Sequence, residues 1–307
     1  MKQKKTNLIV SLKEFLKSKK CLNFWNTSIL SIQSHVVYGY VGNKEAVYPL
    51  QNMNFDVWPI NTVQFSNHTG YQKWQGQIFN KQNIVDLVEG LFALGVEKQC
   101  QAILTGYMGS LDICEAVLEI VARFKRTNPD ILYLCDPVMG NNRCFVKPEI
   151  TSFFKNNLQA DIITPNQFEA EFLSGIKINN VSDAIKVAKH FHNLGVKIVI
   201  ITGINFQDEK YFQVFASNAT KKYLVQAHNK EKNIDIAGTG DLFASLFLGF
   251  YLKYERNIKN ALAHAVFYLN KVVQNTLLSQ QKELQCLSVL YKQVNLAKLP
   301  QVMEIND

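Results

Sequence analysis

The chain has 307 residues, of which 47% are hydrophobic and 19% charged, with only 15 glycines and 7 prolines. This composition excludes collagen-like, low-complexity and disordered classes and is typical of a folded globular protein. The formal net charge of +8 could indicate a nucleic-acid or membrane-surface partner. Residues 1–20, however, contain seven lysines and one acid, so residues 21–307 carry only +2. The net charge therefore does not predict a nucleic-acid partner.

The cysteines and the N-terminal residues bear on the compartment of the protein. Six cysteines are scattered without a CxxC pair, which is typical of reduced thiols in an intracellular protein, and no apolar run reaches the roughly 18 residues of a membrane span. We expect a cytoplasmic protein in which residues 1–27 form a flexible basic extension and residues 28–307 a single domain. A mitochondrial presequence is the alternative for residues 1–27, although they contain no arginine.

Short apolar runs alternate with helical patterns along the rest of the chain. The predicted strands are 28–32, 56–63, 102–105, 131–136, 161–164 and 196–202, several of them apolar enough to be buried on both faces. A 3.6-residue period predicts helices over 84–92, 113–124 and 184–191. An antiparallel hairpin is predicted at 211–216 and 223–227, followed by long helices near 240–254 and 257–277. The alternation predicts an α/β fold with a central, mostly parallel sheet flanked by helices on both faces.

A glycine turn, Gly238-Thr239-Gly240-Asp241, leads directly into a helical apolar stripe. The two glycines permit close backbone approach, and the free N–H groups of a helix start attract an anion. An anion needs no carboxylate beside it, so Asp241 indicates a base next to a phosphoryl group in transfer. The alternative is that Asp241 merely caps the helix. Because the chain has no Walker A loop, this turn is the candidate phosphate site.

Polar side chains follow three successive predicted strands. Asp136 ends the fourth strand, Thr164 ends the fifth with Asn166 and Glu169 just beyond it, and Thr202 ends the sixth. Ligands of open parallel sheets bind beyond the carboxyl ends of the strands, so we expect these side chains to border one crevice. Asp136, Asn166 and Glu169 suit a hydrated Mg²⁺. The alternative is an N-cap asparagine with an acid in the first helical turn.

Residues 61–71 are dense in polar and aromatic side chains, and Ser34 follows the first predicted strand. Phe65, Tyr71 and Trp74 are expected to form an aromatic wall for a flat, polar heteroaromatic ligand. The alternative is a surface loop whose polar groups bond one another.

The segments that carry these features closely resemble the pyridoxal kinases of the ribokinase-like superfamily, especially the eukaryotic type. The resembling stretches are 31–36, 39–43, 63–71, 104–107, 135–140, 160–175 and 238–243. The resemblance implies ATP-dependent phosphorylation of the 5′-hydroxymethyl group of pyridoxal, and also of pyridoxine and pyridoxamine, in vitamin B6 salvage. It also implies Mg²⁺, a monovalent cation that is typically K⁺, and a homodimer.

The resemblance further implies roles for individual residues. Asp241 matches the catalytic base, which also contacts the substrate, and Gly238, Thr239 and Gly240 match the anion hole for the transferred phosphoryl group. The positions matched to the pyridine ring are Ser34, Val63, Thr69 and Tyr107. The positions matched to ATP are Asp136, Thr164, Asn166, Glu169 and Thr202 together with the three residues of the anion hole, and Asp136 and Glu169 match those that hold Mg²⁺, largely through water.

One departure from the eukaryotic pattern affects the nucleotide side. Asn141-Asn142-Arg143 follows Gly140, where the eukaryotic family has an acidic residue and a longer loop, so we expect ATP to be covered less completely. Two alternatives stay open: another small-molecule kinase of the superfamily, such as a hydroxymethylpyrimidine kinase, and a catalytically inactive pyridoxal-binding protein.

Overall fold

The computed structural model describes residues 27–206, 211–229, 236–290 and 299–305. Ten strands lie in these ranges: β1 (Ser28–Val36), β2 (Asp56–Phe65), β3 (Gly76–Ile78), β4 (Cys100–Thr105), β5 (Leu132–Cys135), β6 (Ile162–Ile163), β7 (Ile198–Ile204), β8 (Tyr211–Ser217), β9 (Lys222–Asn229) and β10 (Met303–Ile305). They form one sheet in the order β10-β9-β8-β7-β6-β5-β4-β1-β2-β3. The predicted basic extension, apart from Thr27, lies outside the described residues.

Nine helices connect or follow the strands in the same ranges: α1 (Asn43–Asn52), α2 (Lys81–Leu94), α3 (Leu111–Thr127), α4 (Pro148–Asn157), α5 (Gln167–Ser174), α6 (Val181–Asn193), α7 (Thr239–Lys253), α8 (Ile258–Leu278) and α9 (Leu287–Leu290). None of these described helices combines the length and the apolar character that a membrane crossing requires.

The sheet is parallel through its centre. β2, β1, β4, β5, β6 and β7 pair in parallel, which gathers the carboxyl ends of six strands at one edge. The outer strands are antiparallel: β3 pairs with β2, and β8, β9 and β10 continue the sheet from β7. The predicted mostly parallel sheet and the predicted hairpin, now β8 and β9, are both confirmed.

Helices cover both faces of the sheet, as predicted. Successive residues of a strand point to opposite faces; Ile29 packs into the core formed with α1, α7 and α8. Leu30 and Ile32 pack into the second core, which α2 to α6 cover. All three side chains are fully buried, so β1 supplies apolar surface to both cores. The almost continuous apolar runs of the central strands are the result of this double burial.

Helix α7 is buried nearly all round, which fixes its start. Residues Leu242 to Tyr251 are all buried between the sheet, α1 and α8. Gly249 lets the end of α1 come close, because a Cβ there would lie 3.2 Å from the Leu50 Cδ2 of α1 and 2.3 Å from the Cε of Met53, which follows the helix. A helix held on every side presents its first turn at a set position, and that turn carries Asp241.

Candidate active site

A cavity of about 740 Å³ opens at the carboxyl ends of the parallel strands. Its volume is in the range of small-molecule and cofactor sites. Every residue that the resemblance matches to the substrate, ATP, Mg²⁺ or the transferred phosphoryl group lines it: Ser34, Val63, Thr69, Tyr107, Asp136, Thr164, Asn166, Glu169, Thr202, Gly238, Thr239, Gly240 and Asp241. The fold thus brings together residues from both ends of the chain in one crevice, as the strand-end argument predicted.

The first turn of α7 borders this cavity with free backbone donors. Gly238 is the N-cap in the left-handed region, at φ 87° and ψ −4°, and no side chain caps the helix. The N–H of Leu242 is the donor that bonds back to the Gly238 carbonyl, at 2.9 Å. The N–H groups ahead of it are the donors that the predicted anion site requires.

Asp241 does not cap the helix, so the capping alternative is wrong. The Asp241 carboxylate instead faces the backbone N–H of Gly42. Burial raises the pKa of Asp241 to about 6, and the Gly42 N–H opposes that rise. At neutral pH the group is an ionised carboxylate with a pKa close to that of a general base.

The two glycines of the turn serve different purposes. A Cβ at Gly238 would lie 1.9 Å from the backbone oxygen of Tyr40. Glycine is therefore needed at this position so that the backbones of Gly238 and Tyr40 can pack together. A Cβ at Gly240 would lie 3.5 Å from the Asp136 Oδ2, an ordinary contact. Gly240 therefore leaves open the space between the anion site and the Asp136 carboxylate.

The carboxyl groups of Asp136, Glu169 and Asp241 line the cavity, and none of the three forms a salt bridge within the described part of the chain. Burial raises the pKa of Asp136 well above its ordinary value, and the charges of Glu169 and Asp241 add to the rise, while a 3.1 Å hydrogen bond from Thr164 opposes it. Burial likewise raises the pKa of Glu169 to about 7, against three backbone N–H donors. Raised pKa values in a cluster of acids indicate negative charge that a bound cation would neutralise.

Glu169 and Asn166 form the capping box that was the structural alternative. The Asn166 side chain accepts from the Glu169 N–H, and Glu169 Oε2 accepts from the Asn166 N–H, both at 2.9 Å. Glu169 Oε1 also accepts from the N–H groups of Met139 and Gly140, at 2.8 and 3.3 Å, and Asn166 donates to the Gly140 carbonyl at 2.7 Å. The box thus holds the start of the loop after Gly140 beside the carboxylates.

The donor set fits Mg²⁺ rather than a metal with a full protein cage. No group of three His, Cys, Asp or Glu side chains could hold a metal ion in the described ranges. Mg²⁺ takes hard oxygen ligands, keeps several waters and is usually bound by one or two carboxylates with substrate phosphates. Asp136 and Glu169 provide such oxygens at the cavity wall.

The substrate end of the cavity differs from the predicted aromatic wall. Phe65 lines the cavity, but Tyr71 and Trp74 do not, so the prediction is wrong for these two residues. Both lie in the turn beyond β2, where no strand periodicity fixes the side-chain direction. Tyr71 instead donates to Glu283 at 2.6 Å. Tyr107 and Phe145 supply aromatic surface in their place, with ring centroids 6.5 Å apart.

The loop after Gly140 borders the cavity despite its shortness. It is closed by a bridge between Gly140 and Cys144 and by the Phe145 N–H, which donates to the Met139 carbonyl at 2.9 Å. Asn141, Asn142 and Arg143 line the cavity from this loop. Arg143 is the single lysine or arginine among the lining residues in the described part of the chain.

Sequence reasoning missed three features of the site. Gly42 was seen only as a glycine in a resembling stretch, whereas its N–H faces the Asp241 carboxylate. Glu283 was not singled out. The sequence predicts no site residues in β8, β9 or α8, and the structure lines the cavity with apolar side chains of these elements: Phe212, Val214, Ala227, Leu269 and Val273. Periodicity predicted those elements but not which of their faces would meet.

Comparisons with known proteins agree with this geometry. A model of the phosphomethylpyrimidine kinase family matches residues 62–285. The pyridoxal kinase of Photobacterium profundum is 43% identical over 230 residues, covering 73% of this chain and 79% of that protein. That of Arabidopsis thaliana is 39% identical over 266 residues, covering 81% and 82%. The solved structure of pyridoxal kinase from Leishmania donovani with ADP and pyridoxamine has a TM-score of 0.83 at 32% identity, covering 91% of this chain and 99% of that one. The chain therefore belongs to the pyridoxal kinase family.

Proposed function

We propose that this protein transfers the γ-phosphoryl group of ATP to the 5′-hydroxymethyl oxygen of pyridoxal, and also of pyridoxine and pyridoxamine. The observation that carries the proposal is the carboxylate of Asp241 beside the uncapped first turn of α7, in one cavity with the predicted substrate residues. Family membership supports it, since related solved structures hold ADP together with pyridoxamine or pyridoxine.

In this proposal Asp241 is the general base. The Gly42 N–H faces its carboxylate, and a pKa of about 6 leaves it ionised at neutral pH. It accepts the proton of the substrate hydroxymethyl group as that oxygen bonds to the γ-phosphorus and the bond to the leaving ADP oxygen breaks.

The backbone N–H groups of Gly238, Thr239 and Gly240 form the anion hole. They sit at the positive end of the α7 dipole, with no competing side-chain cap. Fixed donors of this kind stabilise the charge on the transferring oxygens without reorganising during the reaction.

The nucleotide side is formed by the strand-end residues. Asp136 and Glu169 would hold Mg²⁺ largely through water, and the ion would neutralise charge on the phosphates. Thr164, Asn166 and Thr202 lie along the same wall and contact ATP. A monovalent cation, K⁺, is proposed from the resemblance, and replacing K⁺ salts by tetramethylammonium salts in the assay tests it.

The substrate side is formed by Ser34, Val63, Thr69 and Tyr107. Val63 is fully buried at the cavity wall, and Ser34 lies against Gly42, whose Cβ would come within 2.4 Å of the Ser34 Oγ. These residues combine an apolar surface with hydroxyl groups, which suits a flat pyridine ring with polar substituents.

Hydroxymethylpyrimidine is a second candidate substrate, because the matching family model is that of phosphomethylpyrimidine kinases. The test compares kcat/KM of the purified full chain, with ATP and Mg²⁺, on pyridoxal, pyridoxine, pyridoxamine and hydroxymethylpyrimidine. We expect the three pyridine substrates to exceed the pyrimidine. A higher value for the pyrimidine would reverse the assignment, and binding of pyridoxal without product under any ion would indicate an inactive binding protein.

Two further properties are proposed from the resemblance. The protein forms a homodimer, which light scattering of the purified full chain tests. Its compartment is the cytoplasm, which imaging of the tagged full chain tests against a mitochondrial location.

A further inference from the structure

Glu283 is a buried carboxylate in the segment between α8 and α9, and it joins two loops at the cavity. Its side chain is 8% exposed. Oε2 accepts from the Tyr40 N–H at 3.1 Å, and Oε1 is paired with His68 Nε2 at 3.1 Å and accepts from the Tyr71 hydroxyl at 2.6 Å. We call these four residues the Glu283 cluster. Three donors on one buried carboxylate compensate for its loss of water.

On the substrate side, the cluster fixes both nitrogens of His68. The Gly70 N–H donates to His68 Nδ1 at 3.2 Å, so Nε2 carries the hydrogen that points to Glu283. Tyr71 packs on the same ring, with centroids 4.7 Å apart. Thr69 lies between His68 and Gly70, and all three line the cavity. The position of Thr69 therefore depends on the bond between His68 and Glu283.

On the phosphoryl side, the same carboxylate holds the loop that carries Gly42. Glu283 binds the N–H of Tyr40, whose carbonyl lies against Gly238. Gly39 has φ +96°, and a Cβ there would lie 2.6 Å from the Glu283 Oε2, so glycine is required at this contact. Two residues beyond Tyr40, the N–H of Gly42 faces the Asp241 carboxylate. A Cβ at Gly42 would lie 2.4 Å from the Oγ of Ser34, which lines the cavity.

The segment that presents Glu283 is itself firmly held. Leu284 is fully buried, and Cys286 is 1% exposed. The Gln285 N–H donates to the Thr276 hydroxyl at 3.0 Å, and the Gln281 N–H donates to the Thr276 carbonyl at 3.3 Å. These hydrogen bonds fix the segment that carries Glu283 to the last turns of α8.

We propose that Glu283 is a positioning residue for the phosphoryl acceptor. It holds His68, and with it Thr69, and it also holds the loop that carries Gly42, which lies next to Asp241 of α7. Glu283 itself is not among the residues that line the cavity. By joining the two loops, it sets the acceptor-binding residues relative to the base. This inference rests on the proposed function.

The main test is Glu283→Gln, with Glu304→Gln as the matched control. Gln keeps the size of the side chain but offers one acceptor oxygen and an NH₂ group, which would meet the donors of Tyr40 or His68. Glu304 is another C-terminal glutamate, exposed and paired with Lys221 at 3.4 Å. We expect Glu283→Gln to raise KM for pyridoxal about tenfold, near the lower end of the effect of a lost hydrogen bond to a charged group, while KM for ATP stays within about twofold. The control should leave both unchanged.

Tyr71→Phe is a second variant, which removes one bond to Glu283 outside the cavity lining. It should also raise KM for pyridoxal, by a smaller factor than Glu283→Gln does. The double variant should fall short of the product of the two single effects, because both act through one cluster. If Glu283→Gln does not fold, Tyr71→Phe decides, and an unchanged KM for pyridoxal in it overturns the proposal.

Other outcomes separate this inference from the proposed function. An unchanged KM for pyridoxal in Glu283→Gln overturns the positioning role, as does an equal rise of both KM values with a lower melting temperature. Absence of turnover by the wild type would count against the proposed function instead. Calorimetric binding of pyridoxal then tests the inference, and equal affinity of wild type and Glu283→Gln contradicts it.

Discussion

At the scale of single residues, the charge state of Asp241 controls the proposed reaction. Burial raises the pKa of this carboxyl to about 6. A base must be deprotonated, so its active form dominates above that pKa and is lost below it. We expect kcat/KM for pyridoxal to fall about tenfold per pH unit below pH 6. A profile that stays flat from pH 7.5 to 5 would contradict the assignment of Asp241 as base.

Glu45 is a fully buried acid in α1 for which the reaction has no use. Burial raises its pKa well above the ordinary value; the Cys286 thiol, 3.3 Å away, opposes the rise, and the charge of Asp241 adds to it. Glu45 has a higher pKa in the folded protein than in the unfolded chain, so between these two pKa values the folded state holds a proton that the unfolded state has released. The free energy of unfolding therefore falls as pH rises from 5 to 8. We expect Glu45→Gln to flatten this slope, as measured by urea unfolding across that range. Parallel slopes for variant and wild type would show that Glu45 does not titrate in this way.

At the scale of elements, the two glycines at the start of α7 have different roles, one structural and one functional. Gly238→Ala would drive its Cβ against the Tyr40 carbonyl in a left-handed conformation, and we expect a loss of about 1–3 kcal/mol of stability for the strain alone. Gly240→Ala meets only an ordinary contact, 3.5 Å from Asp136, so it should fold with an unchanged melting temperature and lose turnover. Melting curves and kcat for both variants check this pair. Equal melting temperatures, or full activity of Gly240→Ala, would contradict it.

The loop after Gly140 supplies the one lysine or arginine of the cavity lining in the described residues, Arg143. A guanidinium in the lining of a cavity suits the phosphates of ATP. We expect Arg143→Ala to raise KM for ATP about tenfold and to leave KM for pyridoxal nearly unchanged. Lys147→Ala is the control, because Lys147 lies on the same loop but pairs with Glu149 and does not line the cavity. Equal effects of the two substitutions would rule out a specific role for Arg143.

The accuracy of the sequence predictions follows from the kind of element involved. Asp136, Thr164 and Thr202 were predictable because the parallel strands end at one edge of the sheet, whatever the detailed packing. Tyr71 and Trp74 were assigned to the wrong surroundings because their turn has no periodicity. Glu283 was missed because its partners lie far away in the chain, on loops, and no local pattern reports such contacts.

At the scale of the whole molecule, the sheet brings Ser34 from the first strand and Asp241 from a helix near the other end of the chain into one cavity. The net charge of +8 plays little part, since six of those charges lie in residues 1–20. The charges that bear on the proposed reaction are those of the cavity described above, which three acids and one arginine line. Such a site needs a cation before it can hold a nucleotide.

The most direct test measures pyridoxal 5′-phosphate formed from pyridoxal and ATP by the purified full chain and by Asp241→Asn, alongside pyridoxal binding to both. We predict Mg²⁺-dependent product from the wild type, abolished by EDTA and restored by Mg²⁺. Asp241→Asn should bind pyridoxal with similar affinity and lose at least about 100-fold in kcat, as expected for a lost general base. Wild-type protein that makes no product, or an Asp241→Asn variant with turnover close to the wild type, would contradict the account.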